Sequence, residues 1–153
     1  MNTLELKIPP LFLVVIIGTL MVFASDYLPR VEVVSWISFL TALALFVAGV
    51  VFSICGVWQF RKNKTTVDPR HPANTSHLVD SGIYSLSRNP MYVGFALFLL
   101  SIVFFLRSPV LMLGVLIFIM YMNRFQIAPE EIFLSKDFGA RYELYKQRVR
   151  RWL

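Results

Sequence analysis

Apolar residues gather in four long blocks separated by polar segments. An α-helix rises 1.5 Å per residue and the hydrocarbon core of a bilayer is about 30 Å thick, so each block is about long enough to cross a membrane. The pattern predicts four transmembrane helices, at about 8–28, 33–60, 89–106 and 109–128.

The first block also allows another interpretation, a cleaved signal peptide. Val22-Phe23-Ala24 has the small-residue character of a processing site. The segment before the block is weakly charged, because Glu5 offsets Lys7, and this favours a retained transmembrane helix.

The C-terminal segment has an amphipathic pattern. Its apolar residues fall at alternating spacings of four and three, at Phe138, Tyr142, Tyr145, Val149 and Trp152. Cations occupy the other faces, at Arg141, Lys146, Arg148, Arg150 and Arg151. The pattern predicts an interfacial helix at about 136–152, with its aromatic stripe toward the headgroups or the bundle and its cations outward.

One long polar loop, 61–88, joins the second and third helices, and Pro69 and Pro72 argue against a continuous helix in it. Arg107-Ser108-Pro109 makes the next connection a tight hairpin. No repeat or composition shift marks a second domain, so we expect a single all-α membrane domain over 1–153.

Composition and charge support membrane insertion and predict its direction. The chain is 57% hydrophobic and 16% charged, with a net charge of +6. Of fifteen Lys and Arg, Arg30 and Arg107 follow the first and third blocks, and the other thirteen lie at the N-terminus, in the 61–88 loop or beyond Asn123. This positive-inside pattern predicts cytoplasmic termini and a cytoplasmic middle loop, and it explains the basic excess without nucleic acid.

An acidic pair, Glu130-Glu131, follows the fourth block. Adjacent acids at a membrane boundary are often merely solvated. Here Asn123, Gln126 and Glu130 fall at helical spacing and can share one polar stripe, and such stripes usually face a cavity or a partner.

Arg88 stands directly before the third helix. Asn89 as N-cap and Pro90 as first helical residue, with Arg88 extending to lipid phosphate, would explain the segment without any ligand. The same helix N-terminus, with Arg88, also suits a carboxylate or phosphate. Tyr92 could be a membrane-interface residue, and Gly94 permits close packing on the third helix.

Several site classes are disfavoured. His71, His77 and the single Cys55 make a poor metal-ligand set, so no metal is expected. The sequence contains neither a phosphate-binding glycine loop nor a nucleophile elbow.

The ordered segments LVDSGIYSLSRNPMYVG, PEEIFL and DFGARYELYKQRVRRW resemble the isoprenylcysteine carboxyl methyltransferase and phospholipid methyltransferase superfamily. These are small multi-pass enzymes that use S-adenosylmethionine and release S-adenosylhomocysteine. The resemblance extends from about Thr65 to Trp152. Two departures concern the substrate: many members have His in place of Asn89, and phospholipid methyltransferases often have Gly in place of Tyr84.

The resemblance implies a cofactor site and its residues. It assigns cofactor binding to His77, Leu78, Val79, Gly82, Tyr84, Arg88, Asn89, Pro90, Tyr92, Glu130 and Glu131, and the catalytic roles to Arg88, Glu130 and Glu131. An acid would meet the cofactor's ammonium or ribose, and Arg88 with the helix N-terminus its carboxylate. Adenine would lie against Leu78 and Tyr84.

The expected activity is methyl transfer to a lipid-like, membrane-embedded acceptor. A carboxylate acceptor is ionised at neutral pH and needs no base, whereas an amine must first lose a proton. Besides the two glutamates no buried base is evident, which favours an anionic or soft acceptor, and the resemblance implies carboxyl methylation. Phospholipid N-methylation and a non-catalytic module that binds anionic lipid or a partner remain alternatives, and the oligomeric state stays open.

Overall fold

The computed structural model describes residues 5–62 and 78–153, and within these ranges the regular structure is helical. The α-helices are α1 (Pro10–Ala24), α2 (Ser35–Lys62), α3 (Pro90–Leu106), α4 (Met112–Tyr121), α5 (Ala128–Phe138) and α6 (Ala140–Arg148). The prediction of an all-α membrane bundle is confirmed.

Among the described residues, three helical segments are long and apolar enough to cross a membrane. They are Pro10–Tyr27, Ser35–Lys62 and Pro109–Phe138. The apolar helix α3 is shorter, at 17 residues, and its length of about 25 Å lies at the lower end of what a membrane span requires.

Helices α2 and α3 are antiparallel and their backbones approach closely. A methyl group placed on Gly94 would lie 2.6 Å from the carbonyl oxygen of Gly49, and one placed on Gly49 would lie 2.7 Å from the carbonyl oxygen of Gly94. At the far end, Ser38 donates a hydrogen bond to the carbonyl of Phe104. Glycine at the crossing is required by this approach of backbone to backbone.

The main core lies where α1, α3 and α4 meet. Its buried residues are Val14, Ile17, Met21, Tyr92, Leu99, Val103, Leu111, Val115, Phe118, Met122 and Ile127. Helix α1 is therefore an integral part of the packed bundle. Much of α1 and α2 exposes large apolar side chains, as expected for surfaces that face lipid.

The fourth predicted helix was expected to end near 128, and this boundary was wrong. A π-helical segment, Met122–Ile127, joins α4 to α5, so the helix continues to Phe138. The sequence prediction places Glu130 and Glu131 just beyond the end of the helix. They are tolerated inside the helix because Glu130 and Glu131 both have hydrogen-bonding partners.

The predicted C-terminal helix is also revised. Gly139, at a positive φ of 50°, separates α5 from α6, and α6 ends at Arg148 because Val149 is extended. The aromatic stripe faces protein, since Tyr142, Tyr145 and Val149 pack with Leu78 in a second buried cluster.

Candidate active site at the N-terminus of α3

The segment that leads into α3 is held between α2 and α6. Gly82 adopts a positive φ of 62° beside the Gln59 side chain, which donates a hydrogen bond to Ser81 Oγ. Tyr84 is buried with its ring edge against Phe60, and its carbonyl accepts a hydrogen bond from the Tyr145 hydroxyl at 2.7 Å. These contacts fix the path of the chain toward Arg88.

The Arg88 side chain is nearly buried, at 12% exposure. Its Nη1 lies 3.2 Å from Glu131 Oε1 and 3.5 Å from the Tyr142 hydroxyl. Its Nε is buried and has no hydrogen-bond partner among the described residues. A buried, unsatisfied donor costs free energy, so this guanidinium is prepared for an additional acceptor.

Glu131 lies between two guanidinium groups. Arg151 donates to it through two nitrogens, Nε to Oε1 at 3.0 Å and Nη2 to Oε2 at 2.6 Å. These hydrogen bonds raise the pKa of Arg151. With Arg88 on the other side, the three side chains carry a net charge of one positive unit, which favours an anionic ligand.

Glu130 has a separate set of partners. Its Oε1 accepts hydrogen bonds from the Tyr92 hydroxyl at 2.8 Å and from Gln126 Nε2 at 2.6 Å. Gln126 comes from the π-helical segment and is 1% exposed. On the same segment Asn123 accepts a hydrogen bond from Trp152 Nε1. Gln126 therefore contacts Glu130, as the helical spacing predicts, whereas Asn123 has a different partner, Trp152.

Residues 149–152 follow α6 without regular secondary structure and lie along the N-terminus of α3, and they are here named the C-terminal strap. The carbonyl of Arg150 accepts a hydrogen bond from the Arg88 amide at 2.9 Å. The carbonyl of Arg151 accepts hydrogen bonds from Ser87 Oγ and from Asn89 Nδ2. Asn89 stands at the N-cap position, but its side chain binds the strap and makes no capping hydrogen bond, which differs from the sequence expectation.

The tyrosine hydroxyls around the site remain protonated at neutral pH. Burial, followed by the negative charge of Glu131, raises the pKa of Tyr142 to about 12. Burial, followed by the neighbouring Tyr145 and Glu130, raises the pKa of Tyr84. These hydroxyls are therefore neutral hydrogen-bonding groups and not bases.

The structure brings most of the predicted residues to one place. Arg88, Asn89, Tyr92, Glu130 and Glu131 surround the start of α3, where Pro90 is the first helical residue. Leu78, Val79 and Tyr84 are buried in the preceding segment, which also contains the exposed Gly82. His77 lies outside the described residues.

Arg151 and Trp152 were not predicted as site residues. The sequence pattern continued the last helix to 152 and placed Arg151 outward among the cations. Because α6 ends at Arg148, the chain instead turns Arg151 toward Glu131. The signal that could have identified this contact is the pairing of an acidic dipeptide with an arginine-rich segment in a largely apolar chain.

An apolar groove of about 690 Å³ opens beside the site between the start of α1, the end of α2 and the start of α3. Its lining includes Ile54, Trp58 and Phe95, with Arg61 as its charged residue. Tyr92 also lines the groove, and its hydroxyl binds Glu130. One side chain therefore connects the groove to the polar site.

Comparison with known proteins places this architecture in a family. Residues 37–141 match the family model described as phospholipid methyltransferase. An uncharacterised protein of Haemophilus influenzae is 49% identical over 63 residues, which are 41% of this chain and all of that protein.

Curated relatives with an assigned activity include two isoprenylcysteine methyltransferases. Human protein-S-isoprenylcysteine O-methyltransferase is 28% identical over 121 residues, 79% of this chain and 42% of that protein. The probable protein-S-isoprenylcysteine O-methyltransferase of Oryza sativa subsp. indica is 30% identical over 117 residues, 74% of this chain and 60% of that protein. No solved structure matches the chain. The family match covers more than half of the sequence, and the chain belongs to the phospholipid methyltransferase family.

Proposed function

We propose that this protein is an S-adenosylmethionine-dependent methyltransferase that acts on a lipid-like acceptor in the membrane. The observation that carries the proposal is the placement of an arginine pair and an acid pair around the N-terminus of α3, beside an apolar groove. Family membership and the names of the relatives agree with this activity.

The residues present suit S-adenosylmethionine. Its amino-acid part carries a carboxylate and an ammonium, which require a cationic and an acidic partner at one end of the site. Arg88, with its unsatisfied Nε, would bind the carboxylate, and Glu130 would meet the ammonium or the ribose hydroxyls. Leu78 and Tyr84 are the apolar residues proposed to contact adenine.

The bound cofactor would supply an activated methyl group. The protein would hold the acceptor in line with that group and exclude water, which is a positioning task more than an acid–base task. Glu130 accepts hydrogen bonds from Tyr92 and Gln126, so this carboxylate is held in place to orient ligands. A carboxylate acceptor needs no base, and we therefore favour carboxyl methylation over amine methylation.

The groove is proposed to receive the acyl or prenyl chain of the acceptor. Its apolar lining suits a hydrocarbon chain, and Arg61 at its edge suits an anionic head. The positive-inside distribution supports a cytoplasmic location for the site and both termini.

Titration calorimetry with S-adenosylhomocysteine, on folded protein in detergent, tests cofactor use. We expect saturable binding, and Arg88→Lys should weaken it by about tenfold, because lysine keeps the charge but loses the guanidinium geometry. Arg141→Lys, at an exposed position on α6, is the matched control. Absence of wild-type binding up to about millimolar ligand would contradict the proposal.

Incubation with methyl-labelled S-adenosylmethionine and membrane extract identifies the acceptor. Label in a base-labile ester indicates carboxyl methylation, and label in a phospholipid amine indicates the alternative. A protein that binds anionic vesicles in a salt-sensitive manner, equally well as wild type and as Arg88→Lys, and transfers no label would be a non-catalytic lipid-binding module.

A further inference from the structure

The strap contributes a charged side chain to the site that the family resemblance does not assign. Arg151 binds Glu131, and the backbone around it binds Arg88, Ser87 and Asn89. Trp152 fixes the end of the strap to Asn123 on the π-helical segment. Both ends of the Arg151 backbone are thus anchored, and its guanidinium has a defined position.

The two arginines share Glu131 unequally. Arg151 occupies both carboxylate oxygens with two of its nitrogens, at 3.0 and 2.6 Å. Arg88 reaches Glu131 through Nη1 alone, at 3.2 Å, and its buried Nε has no hydrogen-bond partner among the residues the structure describes. The bidentate geometry is the stronger of the two interactions, so Arg151 holds most of the carboxylate's hydrogen-bonding capacity.

This division has a consequence for ligand binding. Without Arg151, the nearly buried Glu131 would keep Arg88 as its cationic partner among the described residues, and a bidentate pair between them would occupy the donors of Arg88. A ligand carboxylate would then have to displace Glu131. With Arg151 in place, Arg88 keeps donors for the ligand.

We propose that Arg151 is a positioning residue that engages both carboxylate oxygens of Glu131 and so leaves donors of Arg88 available for a ligand carboxylate. The inference rests on the proposed function, because it takes the ligand to be the amino-acid end of S-adenosylmethionine. It extends the site to the C-terminal strap, and it gives Glu131 a different role from Glu130.

Two ligands and one matched control test the proposal by calorimetry in detergent. Arg151→Gln should bind S-adenosylhomocysteine about tenfold more weakly than Arg141→Gln, which removes one exposed cation from α6. Decarboxylated S-adenosylhomocysteine lacks the group that Arg88 would bind, so its affinity should agree within about twofold between the two variants. Equal losses for both ligands would overturn the proposal, because they would show that Arg151 only stabilises the fold.

A double variant provides a second, independent readout. In Arg151→Gln/Glu131→Gln the competing carboxylate is gone, so binding of S-adenosylhomocysteine should recover at least about threefold relative to Arg151→Gln alone. If Arg151 only stabilises the fold, the double variant would show no recovery of binding, and that result would refute the positioning role. If the wild type binds neither ligand, the proposed function itself fails. If the wild type binds but the Arg151 variants do not behave as expected, only the role of Arg151 fails.

Discussion

At the scale of single residues, the site depends on two neighbouring acids that have different surroundings. Successive residues of an α-helix project about 100° apart, so Glu130 and Glu131 face different partners. Glu130 contacts a tyrosine and an amide, whereas Glu131 contacts two arginines. Among the described residues Glu130 has no cationic partner, so its carboxylate can receive a positive ligand group, and we propose that role for Glu130.

This assignment predicts unequal effects of the two amide substitutions. Glu130→Gln should weaken binding of S-adenosylhomocysteine by about 2 kcal/mol or more, because a buried charge pair with the ligand is lost. Glu131→Gln should weaken it less, since Glu131 is engaged by the arginines. Calorimetry on both variants checks this, with Glu143→Gln on exposed α6 as control. A larger loss in Glu131→Gln would reverse the assignment.

The residues of the site were largely predictable, and their mutual contacts were not. Arg88, Tyr92 and the acidic pair stand out because polar groups are costly at a membrane boundary. The contact between Arg151 and Glu131 depends on where α6 ends, and an apolar periodicity that continues through Val149 and Trp152 hides that end. The periodicity persists because these side chains pack on protein, whether or not the backbone is helical.

At the scale of elements, the antiparallel pair of α2 and α3 positions the start of α3. Gly49 and Gly94 lack side chains, which lets the two backbones approach directly. Ser53 of α2 also lies against Gly94. Four apolar segments were predictable from length and hydropathy. The π-helical segment and the break at Gly139 were not, because both depend on side-chain partners elsewhere in the fold.

The close approach of α2 and α3 at Gly49 and Gly94 predicts that Gly94→Ala is destabilising. Its methyl group would lie 2.6 Å from a backbone oxygen that cannot rotate away, so α3 must shift, at a cost of about 1–3 kcal/mol. Gly18→Ala is the matched control, because its methyl group would meet the Ile102 side chain at an ordinary 3.4 Å. Thermal unfolding in detergent should show a lower midpoint for Gly94→Ala than for the wild type, and an unchanged midpoint for Gly18→Ala. Equal midpoints for the two variants would argue against the close crossing.

At the scale of the whole molecule, the apolar groove and the polar site meet at Tyr92. Under the proposed function, we expect a lipid-like acceptor to enter through the groove within the bilayer and a water-soluble cofactor to enter from the polar side. The two binding events would use different surfaces of the bundle. Substitutions in the groove should accordingly separate acceptor use from cofactor binding.

Ile54→Trp tests that separation. The larger ring at this exposed groove position should obstruct a hydrocarbon chain and lower methyl transfer to the lipid acceptor by about tenfold, with unchanged affinity for S-adenosylhomocysteine. Leu40→Trp, on an exposed part of α2 outside the groove, is the control. Unaltered transfer in Ile54→Trp would place the acceptor elsewhere.

The π-helical segment also sets the rotational phase of everything that follows it in the helix. Each of its hydrogen bonds spans one more residue than in an α-helix. If the same residues were wound as an ordinary α-helix, the helix would advance by one further residue and α5 would rotate by about 100° relative to α4. Glu130 would turn away from Tyr92, although every side chain of the site would still be present. The winding of the segment is therefore as much a determinant of the candidate site as its chemistry, and we expect substitutions within 122–127 that restore α-helical winding to break the hydrogen bond between Tyr92 and Glu130.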